Sequence, residues 1–222
     1  MTRFETLYCA AAKKLGGEPQ LLEQLPQVLT DTQLREIPDD RYLSMMTRCV
    51  FRAGFVWRVI NNKWPGFEAA FDHFHPLVIA HYSDEKLEQL GKDERIVRNF
   101  QKIKTVRENA TFVLDIARKH GSVGAWLAEW PSDRIVDLWL TLKKQGSRLG
   151  GNSGPGFLRN MGVDTFMLTG DVKSALINHG LIDRISPSSK RDLVRVQQVF
   201  NELQQQSGRP LAHISKILAY TV

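Results

Sequence analysis

The stretch Leu149-Gly150-Gly151-Asn152-Ser153-Gly154 is where this sequence first offers chemistry. Glycines reach positive φ and let a backbone approach a ligand closely, and a helix opening directly after them presents unpaired N–H groups and a positive dipole end. The helical pattern ending LTLKKQG precedes the stretch and GPGFLRN follows it, so it reads as a hairpin between two helices and as a cradle for phosphate. Lys143, Lys144 and Arg148 on the entering side would add the salt-dependent attraction of non-specific DNA binding, which positions a protein without reading base sequence. The same residues also compose an ordinary helix corner with solvated lysines.

Asp171 comes next, after the extended apolar run Thr165-Phe166-Met167-Leu168 and at the opening of the helical pattern DVKSALINHG. A carboxylate at the positive end of a helix stays ionised and is placed to stabilise a developing cation or to accept a proton from water. Taken in isolation it reads first as a helix cap, for which Asp is enriched at such positions. Asp164, at the turn after Gly162, is the second candidate acid and reads as a structural or supporting residue, with Asp171 preferred.

The elements that must hold these residues are helical almost throughout, because apolar residues recur three and four apart and no sustained alternation occurs. Helices are expected over Phe4 to Leu15 and Glu18 to Leu25, then from an Asp39 cap to Gly54, then over FVWRVINNKW until Pro65 ends it. FEAAFDHF, PLVIAHY and SDEKLEQLGKD follow as short helices, the last with a Ser cap. Ile96 to His120 carries one apolar stripe and reads as a central helix closed by Gly121. SVGAWLAEW, SDRIVDLWLTLKKQG, GFLRNM, DVKSALINHGLI, SSKRDLVRVQQVFNELQQQSG and PLAHISKILAYTV complete an all-α chain. The basic run KRDLVRVQQVF alternates its charges around an apolar stripe and reads as a solvated face.

Composition narrows the classes. With 222 residues, 42% hydrophobic and 24% charged, the chain suits one large domain or two small lobes and excludes a fibre or a disordered tail. Thirty Lys plus Arg against 24 Asp plus Glu leave +6 and a pI near 9.4, which suits a polyanionic partner. No apolar window reaches the length of a membrane span and the first residues lack a signal-peptide core, so the cytoplasm is the expected compartment. Cys9 and Cys49 have no zinc-ligand spacing and read as reduced core thiols. His73 and His75 are the close histidine pair and read as part of an apolar connector rather than metal ligands.

Taken together, the glycine hairpin followed about twenty residues later by Asp171 resembles the helix-hairpin-helix DNA glycosylase superfamily. Upstream, AGFVWRVINNKWPGFEAAFDHFHPLVIA, IVRNFQKIKTVRENATFVL and LKKQG are similar to the type I 3-methyladenine DNA glycosylases, over about Tyr42 to Ile182. The resemblance implies a helix-hairpin-helix glycosylase fold of two helical lobes with a cleft between them, a backbone grip by Gly151, Asn152, Ser153 and Gly154, and a flipped nucleotide. Trp57 matches the family's base-stacking tryptophan, with Phe51, Arg52 and Cys49 as further base-binding candidates; an isolated tryptophan of this kind also reads as core. Arg98, Asn99 and Lys102 would line that site or brace its wall.

Two departures go with the likeness. The Cys and His ligands of the type I structural zinc are missing, and Cys49 stands where those enzymes carry a base-recognising Glu. Pro155 occupies the register in which strand-cutting relatives place a Schiff-base lysine, which implies a monofunctional enzyme using water. The resulting expectation is a glycosylase that excises a damaged, alkylated purine from double-stranded DNA. It would act as a monomer, without cofactor, metal or membrane, in the nucleoid-bearing cytoplasm. A catalytically silent DNA-binding or damage-sensing module of the same fold is the alternative, and a helical interaction protein without a DNA role is the third reading.

Overall fold

The computed structural model describes residues 2–222, and among these there are fourteen α-helices and no strand. In chain order they are α1 (Arg3–Leu15), α2 (Glu18–Glu23), α3 (Asp31–Glu36), α4 (Asp39–Arg52), α5 (Trp57–Ala70), α6 (Pro76–Ala80) and α7 (Asp84–Leu90). They continue as α8 (Phe100–His120), α9 (Val123–Ala128), α10 (Ile135–Gln145), α11 (Ser153–Asn160), α12 (Gly170–Asn178), α13 (Lys190–Ser207) and α14 (Leu211–Ala219). The chain divides into two compact units. The first comprises the chain up to Leu29, Trp130–Leu138 and Gly162–Val222; the second comprises Thr30–Glu129 and Trp139–Met161. None of the helices is long and apolar enough to cross a membrane.

In the second unit α8 packs against α4, α6, α7 and α9. Its buried stripe contains Ile103, Val106, Ala110, Val113 and Ile116, as the helical spacing requires, and also the polar Asn109. The helix begins at Phe100 rather than Ile96, because the Asn99 side chain caps it by accepting the Lys102 N–H at 3.1 Å. Phe51, Phe67, Phe71 and Phe74 are fully buried; Phe51 meets Phe67 edge-on, Phe67, Phe71 and Phe74 stack in turn, and Trp64 lies flat against Phe67 and Phe74 at 5.0 and 5.6 Å. Each such ring contributes roughly 1.5–3 kcal/mol through its burial.

That aromatic ladder explains one correction to the sequence reading. Pro65 does not end a helix; it lies inside α5, which runs on to Ala70. The missing N–H and ring clash of a helix-interior proline cost about 3 kcal/mol, and the burial of Phe67 and Ala70 beyond it offsets that cost. The helix stops only at Asp72, His73 and Phe74, which form a turn with φ of +46°, +53° and +62°. The helix α3 was not foreseen, although its capping box of Thr30 and Gln33 is legible in the sequence. Pro38 is the N-cap of α4, while Asp39 turns its carboxylate to accept the Val123 N–H of α9 at 2.8 Å. Of the two thiols expected in the core, Cys49 is buried but Cys9 is exposed, since it falls off the buried Phe4, Leu7 and Ala11 stripe of α1.

In the first unit α14 packs on α1, α12 and α13. The extended run 165–168 is tied to it where the Met167 N–H donates to Ser215 Oγ at 3.0 Å. Phe166 stacks flat on Phe200 of α13 at 4.1 Å. These contacts fix the backbone between the two candidate acids.

Candidate functional site

The hairpin between α10 and α11 is built by glycines and held from below by α8. Gly151 has φ of +58°, which a residue with a Cβ rarely adopts. At Gly154 a Cβ would lie 2.5 Å from the Leu149 carbonyl oxygen, so only glycine lets α11 start this close to the turn. Leu149 is fully buried and anchors the loop, while Gly151 and Asn152 are exposed at its tip. Asn109, fully buried in α8, donates Nδ2–H to the Ser147 carbonyl at 3.1 Å and accepts the Ser147 N–H on Oδ1 at 2.8 Å. The sequence reading missed this residue; the signal was a polar side chain in the apolar stripe of a central helix.

The start of α11 carries no side-chain cap from Asn152. In its first turn the Ser153 N–H is taken by the Gly150 carbonyl at 3.2 Å and Pro155 has none, which leaves the Gly154 N–H and the positive dipole end to face an anion. Lys143, Lys144 and Arg148 are all exposed, and none of them forms an ion pair among the described residues. The aliphatic stem of Lys143 lies over Gly150, which brings its charge to the hairpin. Pro155, buried at the head of α11, offers no amine.

The two candidate acids differ in setting. Asp171 is the second residue of α12 and exposed; the cap of that helix is Thr169, whose Oγ1 accepts the Val172 N–H at 3.3 Å. Asp164 is half-buried, and its carboxylate accepts two N–H groups at the start of α14, from Ala212 at 2.8 Å and Leu211 at 3.1 Å. Pro210, the N-cap of α14, supplies no side-chain bond, so Asp164 caps the helix from outside it. That arrangement fixes its orientation.

The base-binding candidates spread from the surface to the core. Trp57 opens α5 and is 62% exposed, with the Arg52 guanidinium 5.0 Å from its ring centre. Phe51 is fully buried against Phe67 and presents no free face. Cys49 is buried, and burial pushes its thiol up to about 11 despite the opposing charges of Arg52 and Arg48, so it is neutral at pH 7. Arg52 and Arg48 both donate to Asn61 Oδ1, at 2.7 and 3.2 Å, and the Arg48 guanidinium lies over Trp64 at 5.1 Å. Lys102 donates to the carbonyls of Phe51 and Ala53 at the end of α4 and lies 4.5 Å from the Phe55 ring, so it braces this corner.

Beneath them Glu68 accepts both Arg41 nitrogens at 3.1 and 3.0 Å, Ser44 Oγ at 2.8 Å and Trp64 Nε1 at 3.0 Å. Burial alone would push this carboxyl up, but its hydrogen bonds with Arg41 and Ser44 and the Arg41 charge outweigh burial and hold it below the ordinary value. Among the described residues no three His, Cys, Asp or Glu side chains are grouped to hold a metal.

This arrangement is similar to known proteins in two ways. The fold is similar to that of 3-methyladenine DNA glycosylase I, with a TM-score of 0.53 at 21% identity over 68% of this chain and 90% of that one. For the Staphylococcus aureus 3-methyladenine DNA glycosylase I the TM-score is 0.52 at 23% identity, over 63% of this chain and 80% of that one. The 8-oxoguanine glycosylase/lyase of Methanocaldococcus jannaschii, solved with a 15mer DNA containing 8-oxoguanine, gives 0.55 at 14% identity over 97% of this chain and 96% of that one. These likenesses establish a helical DNA glycosylase fold. Residues 34–147, about half of the chain, match the family model described as methyladenine glycosylase, and the chain belongs to that family.

Proposed function

We propose that the protein is a monofunctional DNA glycosylase that extrudes a damaged base from double-stranded DNA and hydrolyses its N-glycosidic bond. What carries the reading is the family membership over residues 34–147, which spans α4, α5, α8 and the approach to the hairpin. The hairpin residues Gly151, Asn152, Ser153 and Gly154, with Lys143, Lys144 and Arg148, grip the backbone, and Trp57 stacks on the extruded base. The relatives above are named for 3-methyladenine and for 8-oxoguanine, and those DNA substrates frame the lesions to be tried here.

Spacing from the hairpin favours Asp171 as the acting carboxylate, whereas geometry favours Asp164. A half-buried carboxylate oriented by two helix N–H groups is preorganised for the positive charge that develops at C1′ as the base departs. An exposed carboxylate such as Asp171 interacts through water and gives less. Asp164 therefore stabilises the sugar cation and orients the water in this proposal, with Asp171 as the second candidate. Pro155 in place of an amine leaves an abasic site with the strand intact.

The test is base release from duplexes carrying single alkylated, deaminated or oxidised bases, followed by strand analysis with and without hot alkali. Alkali-dependent breaks at one class of lesion support the proposal. Breaks without alkali contradict the monofunctional part. The neutral Cys49 at the position of a recognition Glu favours a second reading, a damage-sensing module without excision. Tight binding to an abasic-site duplex with no base released from any substrate establishes that reading instead.

A further inference from the structure

The surroundings of Trp57 are of one electrostatic kind. The guanidiniums of Arg52 and Arg48 converge on Asn61 Oδ1, and Arg52 lies over the Trp57 ring. Asn61 Oδ1, the acceptor at the centre of this group, is taken by both arginines. The Nε–H groups of Arg48 and Arg52 are buried without an acceptor. Cys49 contributes a neutral thiol, and Glu68, the nearest carboxylate on α5, is held by Arg41, Ser44 and Trp64. Burial and the charge of Arg52 both weaken the hold of Arg48 on its proton, as expected where positive charge is in excess.

A base placed on Trp57 thus meets the Arg52 guanidinium and an excess of positive charge. A purine methylated at a ring nitrogen carries a positive charge and would be repelled here. A neutral base with a carbonyl oxygen offers the acceptor that a guanidinium fork binds best, as in arginine contacts with the O6 and N7 edge of guanine. We propose that the Arg48–Arg52–Asn61 group makes this site selective for neutral, carbonyl-bearing bases and against cationic alkylated purines. The proposal rests on the glycosylase reading and on Trp57 as the stacking platform.

The chemistry is consistent with that choice. A cationic base leaves as a neutral molecule and needs little help. From a neutral base the C1′–N bond breaks with both electrons remaining on nitrogen, giving a base anion and a sugar oxocarbenium ion. Guanidinium donors at the carbonyl spread the negative charge of the leaving base. Water oxygen then bonds to C1′, and the proton it loses passes through solvent to the base anion, so the products are an abasic sugar and a neutral free base.

The experiment is single-turnover base release by the full chain from duplexes containing one 8-oxoguanine, hypoxanthine or uracil, beside duplexes containing 3-methyladenine or 7-methylguanine corrected for spontaneous loss. The expected result is release of at least one carbonyl-bearing base about tenfold or more faster than either cationic base. Arg52→Gln and Arg48→Gln, each with wild-type thermal stability, should lower that preference by about tenfold, and Arg52→Lys should restore part of it. Faster release of the cationic bases, or equal loss on all substrates in both variants, overturns the selectivity while the glycosylase reading stands. No release of any base overturns both.

Discussion

Asn109 of α8 closes a two-bond ring with the backbone of Ser147, donating to its carbonyl at 3.1 Å and accepting its N–H at 2.8 Å. Through this pair the longest helix of the second unit positions a loop whose tip, Gly151 and Asn152, is exposed. Asn109→Leu leaves the Ser147 groups unsatisfied and should cost about 2 kcal/mol. Chemical denaturation measures that loss, and affinity for an abasic-site duplex should fall by about tenfold in the same variant. Unchanged stability and affinity would show that the loop holds itself.

Lys143, Lys144 and Arg148 should act through charge alone. Replacing each by Gln should weaken binding to duplexes of any sequence and reduce the slope of log K against log salt by about one per residue. A slope that stays constant in the triple variant would place the DNA contact elsewhere.

Much of the frame was legible in the sequence. The glycine hairpin, the α8 stripe and the Ser83 cap of α7 follow from local rules that tertiary packing did not override. Three things depended on partners distant in the chain. Pro65 sits inside α5 because an aromatic ladder reaching to Phe51 rewards the helix beyond it. The Asp39 carboxylate binds the Val123 N–H of α9 instead of capping its own helix, and Asp164 became the cap of α14 through Leu211 and Ala212. No spacing rule reports such pairings. The Arg48, Arg52 and Asn61 group was half visible, since Arg52 was singled out beside Trp57 but the shared acceptor on α5 was not.

Glu68 should couple stability to acid. Its folded-state carboxyl lies below the ordinary value, so its contribution is present above the unfolded pKa and is lost as pH falls through the folded one. Glu68→Gln should cost about 2 kcal/mol at neutral pH and flatten the acid limb of a plot of melting temperature against pH. An acid limb identical to wild type would contradict the role given to the Arg41 and Glu68 pair.

The two cysteines should separate on treatment with a thiol reagent. Exposed Cys9 should be modified in the native protein at pH 7.5, and buried Cys49 should resist until the protein unfolds. The Cys49 thiol is raised from 9.0 to about 11 in the fold, so stability should decline as pH rises across that window. Mass spectrometry after labelling distinguishes the sites, and rapid native labelling of Cys49 would contradict its burial.

The most direct measurement of the central claim compares single-turnover base release by wild type, Asp164→Asn and Asp171→Asn, each also assayed for binding to an abasic-site duplex. Loss of about 100-fold or more in Asp164→Asn, with binding retained and Asp171→Asn close to wild type, is the predicted result. Release by Asp164→Asn at the wild-type rate would contradict the account, because the carboxylate held at the start of α14 would then be a cap and nothing more.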